Sequence, residues 1–91
     1  MKVKYDPGFF KSLKKQNVRV RKKFKEKILL FIKDPHNSEL NNHSLKREWT
    51  GYRSIDITSD YRAVYKEEHV ADEAVANFVD IGTHDELYSK N

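Results

Sequence analysis

Residues 43–66 of the sequence read HSLKREWTGYRSIDITSDYRAVYK, and the fold follows from this stretch. Apolar and polar residues alternate within it in two runs, 52–58 and 61–66, with Ser59 and Asp60 between them. Alternation with a period of two is typical of β-strands, and a polar pair between two such runs is typical of a turn. The stretch therefore predicts an antiparallel hairpin, which we expect to form the middle of a sheet.

The length of the hairpin loop decides which face of the sheet Arg62 occupies. A two-residue turn would place Arg62 beside Ile57, on the face that packs against the core. A three-residue loop, 59–61, would place Arg62 across from Thr58 and on the same face as Asp56. We expect the three-residue loop, because burying an unpaired arginine is costly.

The sequence before the hairpin predicts one strand and two helices. Residues 2–5 alternate polar and apolar side chains, as a half-buried strand does. Asp6 and Pro7 suit the cap and the first position of a helix that runs to about residue 15. A second helix should span 18–33, because four apolar residues recur along one stripe: Val20, Phe24, Ile28 and Phe31. Two helices joined by two residues should pack as an antiparallel pair on one face of the sheet.

The sequence after the hairpin predicts one more strand. Residues 67–73 are polar and are interpreted as a loop, whereas 74–81 (AVANFVDI) form the most apolar run. A turn of helix should follow at 85–88, and residues 89–91 should fray. We therefore expect one α+β domain over residues 1–91, with two N-terminal helices packed on a small, twisted, mainly antiparallel four-stranded sheet. The first strand should lie at or near one edge.

The composition limits the class of protein. A chain of 91 residues with 37% apolar residues is long enough for one modest core. It has no cysteine, which excludes disulfides and thiolate zinc sites. No apolar run reaches the roughly 18 residues of a membrane span, and the N-terminus lacks the apolar core of a signal peptide. We expect a soluble cytoplasmic protein.

Charge is distributed unevenly along the chain. Residues 1–33 hold 12 lysines and arginines against 2 acids, whereas residues 34–91 hold 6 against 12. Such a basic region attracts phosphate backbones or an acidic protein partner without choosing between them. It is also what a solvated helix face looks like in a highly charged protein. Five of these cations fall on one face of the second predicted helix: Arg19, Lys22, Lys23, Lys25 and Lys27.

Several kinds of chemistry are absent from the sequence. There is no H-x-x-x-H or H-E-x-x-H spacing for a metal, and no G-x-G-x-x-G or P-loop for a nucleotide cofactor. No serine lies in a G-x-S-x-G context. What is left is a set of imidazoles, carboxylates and guanidinium groups, which suits a phosphodiester substrate. The candidates are His43, Lys46, Arg47, Arg53, Asp56, Asp60, Arg62, His84 and Tyr88.

Four short elements, in this order, resemble bacterial toxins of the RelE/ParE superfamily and most of all the YafQ branch. They are LNNHSL (40–45), WTGYR (49–53), DYRAVYK (60–66) and IGTHDELY (81–88). The resemblance implies the RelE-like α+β fold and a ribosome-dependent endoribonuclease that cuts mRNA in the A site. It also implies a cognate antitoxin as protein partner, the ribosome with its mRNA as target, and no cofactor or metal.

The resemblance also implies which residues act. The branch uses four side chains that the sequence matches: His43, Asp60, His84 and Tyr88. A further histidine of the branch falls on Asp56, which is a departure from the family pattern. Arg62 stands where related toxins have an arginine that contacts the scissile phosphate.

These residues predict a mechanism. Asp60 or Asp56 would help to deprotonate the 2′-hydroxyl, and Arg62 would stabilise the phosphorane. His84 would protonate the leaving 5′-oxygen, assisted or replaced by His43, while Tyr88 would stack on a nucleobase. Six cations are predicted to contact RNA: Lys22, Lys23, Lys25, Lys46, Arg47 and Arg53.

Two other functions are compatible with the same superfamily, because a fold does not fix a function. The first is a ParE-like toxin that inhibits DNA gyrase and cuts no RNA. The second is a degenerate toxin that only binds its antitoxin, for which Asp56 is the cue. His84 and Tyr88 favour the ribonuclease, provided that Arg62 and His84 share one concave surface.

Overall fold

The computed structural model describes residues 1–88, in which eight helices and strands follow one another along the chain. They are β1 (Lys2–Tyr5), α1 (Pro7–Lys15), α2 (Val18–Lys33), β2 (His43–Ser44), β3 (Arg53–Asp56), β4 (Tyr61–Val70), β5 (Glu73–Thr83) and α3 (His84–Tyr88). Two short 3₁₀ turns, Ser38–Leu40 and Arg47–Trp49, flank β2. The frayed end predicted for residues 89–91 lies outside the described residues.

The strands form one five-stranded sheet in the order β1-β5-β4-β3-β2. β1 lies at one edge, as predicted, and pairs in parallel with β5, while the other neighbours are antiparallel. The predicted count of four strands was wrong, because β2 forms the second edge. β2 has only two residues, His43 paired with Ser54 and Ser44 paired with Arg53, and so short a strand shows no alternation.

The two N-terminal helices are confirmed and lie on one face of the sheet. Pro7 opens α1, and the side chain of Asn17 caps α2 by accepting a hydrogen bond of 3.0 Å from the main-chain N–H of Val20. The predicted apolar stripe of α2 is buried and forms the core with α1 and the strands. The centre of this core is aromatic: Phe31, Tyr65 and Phe78 lie 5.1 to 5.4 Å apart between ring centroids.

The predicted loop at 67–73 was wrong, because β4 and β5 continue through it as a long hairpin. Only Ala71 and Asp72 connect the strands, with φ angles of 51° and 67°. Two consecutive residues at positive φ are typical of the type I′ turn that fits the twist of a hairpin. Charged residues on these strands hid the pattern; Glu68, for example, pairs with Lys4 of β1 at 2.8 Å.

The register of the β3–β4 hairpin differs from both predicted loops, although the face predicted for Arg62 is confirmed. Arg62 is opposite Asp56, so five residues, 57–61, separate the last pair of the ladder, and Tyr61 is already the first residue of β4. The loop is closed because Ile57 donates its main-chain N–H to the carbonyl of Tyr61 at 2.9 Å. The hydroxyl of Thr58 also accepts the N–H of Tyr61 at 3.1 Å. Burial of Ile57, which is 1% exposed, favours this longer loop.

The face of the sheet opposite α1 and α2 is partly covered by the C-terminal helix. Leu87 of α3 is buried there, and the hydroxyl of Tyr88 lies 3.3 Å from that of Ser54 on β3. The space between α3, the start of β4 and the segment around β2 stays open. Of the helices in residues 1–88, none is both long enough and apolar enough to span a bilayer.

Candidate active site

A cleft of about 480 Å³ lies on this second face. One wall is the segment 41–49, which includes β2, and the other is α3, with Arg62 of β4 between them. Ten residues line the cleft: Asn41, His43, Leu45, Lys46, Arg47, Glu48, Trp49, Arg62, His84 and Tyr88. Arg62 and His84 therefore share one concave surface, as the sequence interpretation required.

Asn42 holds the wall that carries His43. Its side-chain N–H donates to the carbonyl of Pro35 at 2.8 Å, and its side-chain oxygen accepts from Nε of Arg53 at 2.9 Å. Both polar atoms of the same amide lie within 3.2 Å of the buried hydroxyl of Tyr65. A side-chain amide whose nitrogen and oxygen are both hydrogen-bonded fixes the local backbone, because leaving a covered polar atom without a hydrogen bond costs free energy. The segment before β2 is thus anchored to the sheet.

The ring of His43 is oriented by its own loop. Nδ1 lies 2.8 Å from the carbonyl oxygen of Asn41. A carbonyl only accepts hydrogen bonds, so Nδ1 carries the proton and Nε2 of the neutral ring is left as an acceptor. Asn41 itself has a φ of 46°, which an asparagine tolerates better than most residues. The loop therefore presents an imidazole whose free nitrogen can take a proton.

His84 and Tyr88 are the first and last residues of α3 and lie on one side of it. Their rings meet edge to face with centroids 4.7 Å apart. The helix begins with a capping box, in which the Thr83 hydroxyl accepts the N–H of Glu86 at 3.1 Å and the Glu86 carboxylate accepts the N–H of Thr83 at 2.8 Å. A Cβ on Gly82 would approach the side chain of Glu86 to 3.2 Å, so glycine allows this close contact.

His84 stays open to solvent in this arrangement. Its side chain is 72% exposed, and Nδ1 lies 3.9 Å from the equally open carboxylate of Asp85. Tyr88 is more fixed, because its hydroxyl contacts Ser54 while its ring lines the cleft. The pair offers an exposed imidazole beside an aromatic ring that is held by its hydroxyl.

Arg62 is the most restrained cation of the cleft. Nε lies 3.0 Å from Oδ1 of Asp56, and Nη1 donates to three loop carbonyls. Arg62 also borders a second, adjoining depression of about 420 Å³, together with Asp60, Thr83 and His84. Asp60 is thus next to the cleft and does not line it.

The structure divides the predicted site residues into two groups. Six of them share the cleft: His43, Lys46, Arg47, Arg62, His84 and Tyr88. Asp56 instead lines a groove of about 340 Å³ against α2, where Lys23 also lies, and Arg53 borders another depression with His36 and Tyr52. Lys22 and Lys25 are exposed on α2 and border none of these three hollows.

Sequence reasoning missed part of the lining. Four lining residues were not among the predicted site residues: Asn41, Leu45, Glu48 and Trp49. The indole of Trp49 packs against Tyr52, with ring centroids 5.2 Å apart, and it also lines the cleft. Arg47 has a φ of 59°, a conformation that no feature of the sequence indicates. A positive φ at a non-glycine residue raises the energy of the backbone, and such strained residues are often found at functional sites.

The comparison with protein families decides the identity of the fold. The family model described as the bacterial toxin of type II toxin–antitoxin systems, YafQ, matches residues 1–89. The chain belongs to the YafQ family. The resemblance noted in the sequence is therefore confirmed, and the protein is a toxin of the type II toxin–antitoxin class.

Solved structures agree with this family. YafQ from Escherichia coli strain BL21(DE3) is 27% identical, with a TM-score of 0.75 over 94% of this chain and 96% of that one. A YoeB/ParE toxin from Agrobacterium tumefaciens, 20% identical, has a TM-score of 0.72 over 92% and 99% of the two chains and shares the fold. YafQ within an Escherichia coli DinJ–YafQ complex has a TM-score of 0.64 at 24% identity, over 94% and 96%. A comparison with curated protein sequences found no significant match.

The ionisable side chains that line the cleft are imidazole, guanidinium, ammonium, carboxyl and phenol groups. Among residues 1–88, no group of three or more His, Asp or Glu side chains is placed to hold a metal ion. The side chains that line the cleft can accept a proton, donate a proton and neutralise a phosphate, and these are the three operations that cleavage of RNA requires.

Proposed function

We propose that this YafQ-family toxin is an endoribonuclease that cuts mRNA in the ribosomal A site and is neutralised by a cognate antitoxin. The observation that supports this function is the convergence of His43, Arg62 and His84 on one cleft. A protein that only docks on another has no need of two imidazoles facing one guanidinium. Family membership supports the same activity.

The reaction is an attack of a ribose 2′-oxygen on the adjacent phosphorus. The 2′-hydroxyl loses its proton, a new O–P bond forms, and the bond between phosphorus and the 5′-oxygen breaks. The leaving 5′-oxygen takes up a proton, so the products are a 2′,3′-cyclic phosphate and a 5′-hydroxyl. Later hydrolysis of the cyclic phosphate gives a 3′-phosphate.

His43 suits the role of general base. Its Nε2 is the free acceptor nitrogen, because Nδ1 is committed to the carbonyl of Asn41. Asp56 is less suitable than the sequence interpretation assumed, since its carboxylate faces Arg62 and lines the groove on the α2 side. Asp60, beside the cleft, is the alternative base.

Arg62 and His84 suit the two other roles. Arg62 supplies a positive charge where the phosphorane develops its negative charge, and such stabilisation is strongest when the donor is held in place beforehand. His84 can protonate the 5′-oxygen, because its ring is exposed and lies in the same cleft. Tyr88 provides a fixed ring on which an unstacked base can lie.

The ribosome presents the substrate in this proposal. An mRNA codon in the A site is single-stranded, and Lys46 and Arg47 at the cleft can bind its phosphates. The antitoxin would be a protein partner, as DinJ is for YafQ in the Escherichia coli toxin–antitoxin complex. The basic region of this chain suits an acidic partner. The two partners compete if they use the same basic surface.

The decisive experiment is primer extension on translated mRNA with the purified toxin. We expect discrete cuts at codon positions with the wild-type protein and loss of cutting by at least about 100-fold with His84→Ala, from typical acid–base contributions. His69→Ala removes an exposed imidazole near the far end of β4, which lines neither the cleft nor the depression beside it, and is the matched control that should cut normally. His84→Ala cutting as fast as the wild type would overturn the mechanism.

Expression of the toxin in cells, followed by analysis of their mRNA and DNA, distinguishes the other functions. Intact mRNA together with double-strand DNA breaks in cells that express the toxin would support gyrase inhibition. Intact mRNA and intact DNA, with an antitoxin still bound, would support a degenerate toxin. Either result would overturn the proposed ribonuclease.

A further inference from the structure

Asp56 and Arg62 form the last cross-strand pair of β3 and β4 before the loop. They are directly opposite each other, and Nε of Arg62 lies 3.0 Å from Oδ1 of Asp56. Both side chains are mostly covered, with 22% of Arg62 and 27% of Asp56 exposed. Oδ1 is shielded from solvent and receives no directed hydrogen bond from residues 1–88, so the contact is an ion pair. Arg62 is the neighbour that compensates this charge.

The loop holds a second nitrogen of the same guanidinium. Nη1 donates to the carbonyls of Thr58 and Ser59, each at 3.1 Å, and to that of Tyr61 at 3.2 Å. None of the hydrogen bonds within residues 1–88 uses Nη2. The ion pair and the three carbonyls therefore restrain two corners of the guanidinium and leave the third for a ligand.

This arrangement has a physical purpose if Arg62 binds phosphate. A free arginine side chain carries roughly 2 kcal/mol of rotamer entropy that it loses when it binds a ligand. A guanidinium that is already held loses less, and electrostatic stabilisation of a transition state depends on such preorganisation. Asp56 shares the face of Arg62 but is not among the residues that line the cleft; it borders the neighbouring groove, so it can restrain Arg62 without meeting the substrate.

We infer that Asp56 is a positioning residue that acts through Arg62 and takes no proton from the substrate. The inference rests on the proposed ribonuclease function and deepens it. Across the strand pair, the negative charge of Asp56 holds the guanidinium of Arg62, which a neutral or cationic side chain at position 56 would not do.

A double-mutant cycle tests the inference on ribosomes programmed with one mRNA. Asp56→Ala should lower kcat by about 10-fold to 100-fold with KM unchanged, the range expected for a misplaced catalytic group. Arg62→Ala should lower kcat at least as much. The double variant should be no slower than Arg62→Ala alone, because Asp56 then has nothing to position. If the two losses multiply, Asp56 acts on its own and the inference is wrong.

A spectroscopic measurement keeps the test independent of activity. In the wild-type toxin, exchange of the Arg62 Nε–H with solvent should be slow in ¹⁵N NMR spectra. Asp56→Ala should accelerate that exchange at least about 10-fold, as expected for loss of an ionic partner on a largely covered group. Glu68→Ala, which removes another cross-strand ion pair 2.8 Å long, is the matched control and should leave the Arg62 signal unchanged.

The outcomes separate the inference from the proposed function. A wild-type toxin that cuts no mRNA, with an Arg62 signal that still depends on Asp56, would refute the ribonuclease and support the positioning. Active toxin whose Arg62 signal ignores Asp56→Ala would refute the positioning alone. Asp56→Asn, which keeps the shape of the side chain and removes its charge, replaces Asp56→Ala if the latter does not fold.

Discussion

The indole N–H of Trp49 donates a hydrogen bond of 2.9 Å to the main-chain carbonyl of Leu87. This single contact joins the two walls of the cleft, since Trp49 ends the 3₁₀ turn after β2 and Leu87 belongs to α3. The carbonyl is in the last turn of a five-residue helix, and within residues 1–88 the helix offers it no N–H four positions on. The position of His84 and Tyr88 relative to His43 thus depends on the hydrogen bond from Trp49.

Replacement of Trp49 by phenylalanine should loosen α3. Loss of one hydrogen bond should lower the free energy of unfolding by about 1 kcal/mol. The amide protons of α3 should then exchange faster with solvent, measured by hydrogen–deuterium exchange, while exchange in β4 should accelerate by no more than the loss of global stability requires. Tyr52→Phe is the control, because it removes a hydroxyl next to the same indole and keeps the ring contact. Equal exchange in α3 of both variants would contradict the role of this hydrogen bond.

The pH dependence of cleavage should separate the two histidines. A general base must be unprotonated, so cleavage rises with pH through its titration, whereas a general acid must be protonated, so cleavage falls with pH. We expect a bell-shaped profile for kcat of the wild type. His43→Ala should lose the acidic limb and His84→Ala the basic limb, in single-turnover assays on programmed ribosomes. An unchanged acidic limb in His43→Ala would transfer the role of base to Asp60.

Most of the fold could be predicted because its signals are local. The apolar stripe Val20, Phe24, Ile28 and Phe31 can only serve a helix on a core, and each of these side chains is buried. Two strand features could not be predicted for physical reasons. β2 has two residues and no period, and the ends of β4 and β5 carry charges that pair across strands, which removes the contrast between an inner and an outer face.

The sequence indicates which residues line the candidate site better than it indicates how they are held in place. His43, Arg62 and His84 have side chains with recognisable chemistry, and the cost of burying an unpaired arginine correctly predicted Arg62 on the face of Asp56, although with the wrong loop length. The supports of the site left no trace in the sequence. Asn42 is one asparagine among several until Tyr65 and Arg53 are brought beside it, and the left-handed conformation of Arg47 depends on the loop around it.

Two substitutions in the turn between β4 and β5 should stabilise the protein. Ala71 has a φ of 51°, where a side chain with a Cβ costs roughly 1 kcal/mol, and type I′ turns favour Asn-Gly. The double replacement Ala71→Asn and Asp72→Gly should therefore raise the free energy of unfolding by about 1 kcal/mol, or the melting temperature by about 4–8 °C. Glu67→Gly, inside β4, is the control and should destabilise the protein. A double variant with a melting temperature below that of the wild type would contradict the assignment of a type I′ turn at residues 71 and 72.

Glu68 should make stability depend on pH in the acid range. The Nζ of Lys4 at 2.8 Å and the side-chain N–H of Asn77 at 3.2 Å hold the pKa of its carboxyl below the ordinary value of 4.5. A lowered pKa in the folded state stabilises the protein above the unfolded pKa, and that contribution disappears as the pH falls through the folded pKa. The melting temperature of the wild type should therefore exceed that of Glu68→Gln at pH 7, and the difference between the two melting temperatures should start to narrow below pH 4.5. A constant gap in thermal unfolding down to about pH 2, well below the usual range of Glu pKa values, would contradict this assignment.

The cations of α2 should not contribute equally to binding RNA. Arg19, Lys23 and Lys27 lie along one stripe and line the groove beside the loop that holds Arg62, whereas Lys22 and Lys25 are exposed outside the groove. A phosphate backbone that leaves the cleft past this loop would meet the first set, so each lost contact should lower the salt dependence of ribosome binding by about one counterion.

The measurement is co-sedimentation with ribosomes over a range of salt concentrations. Lys23→Ala with Lys27→Ala should weaken binding and flatten its dependence on salt, while Lys22→Ala with Lys25→Ala removes the same charge from outside the groove and serves as the matched control. If both pairs weaken binding alike, the basic surface acts through its total charge, and the position of the groove beside Arg62 has no part in recognition.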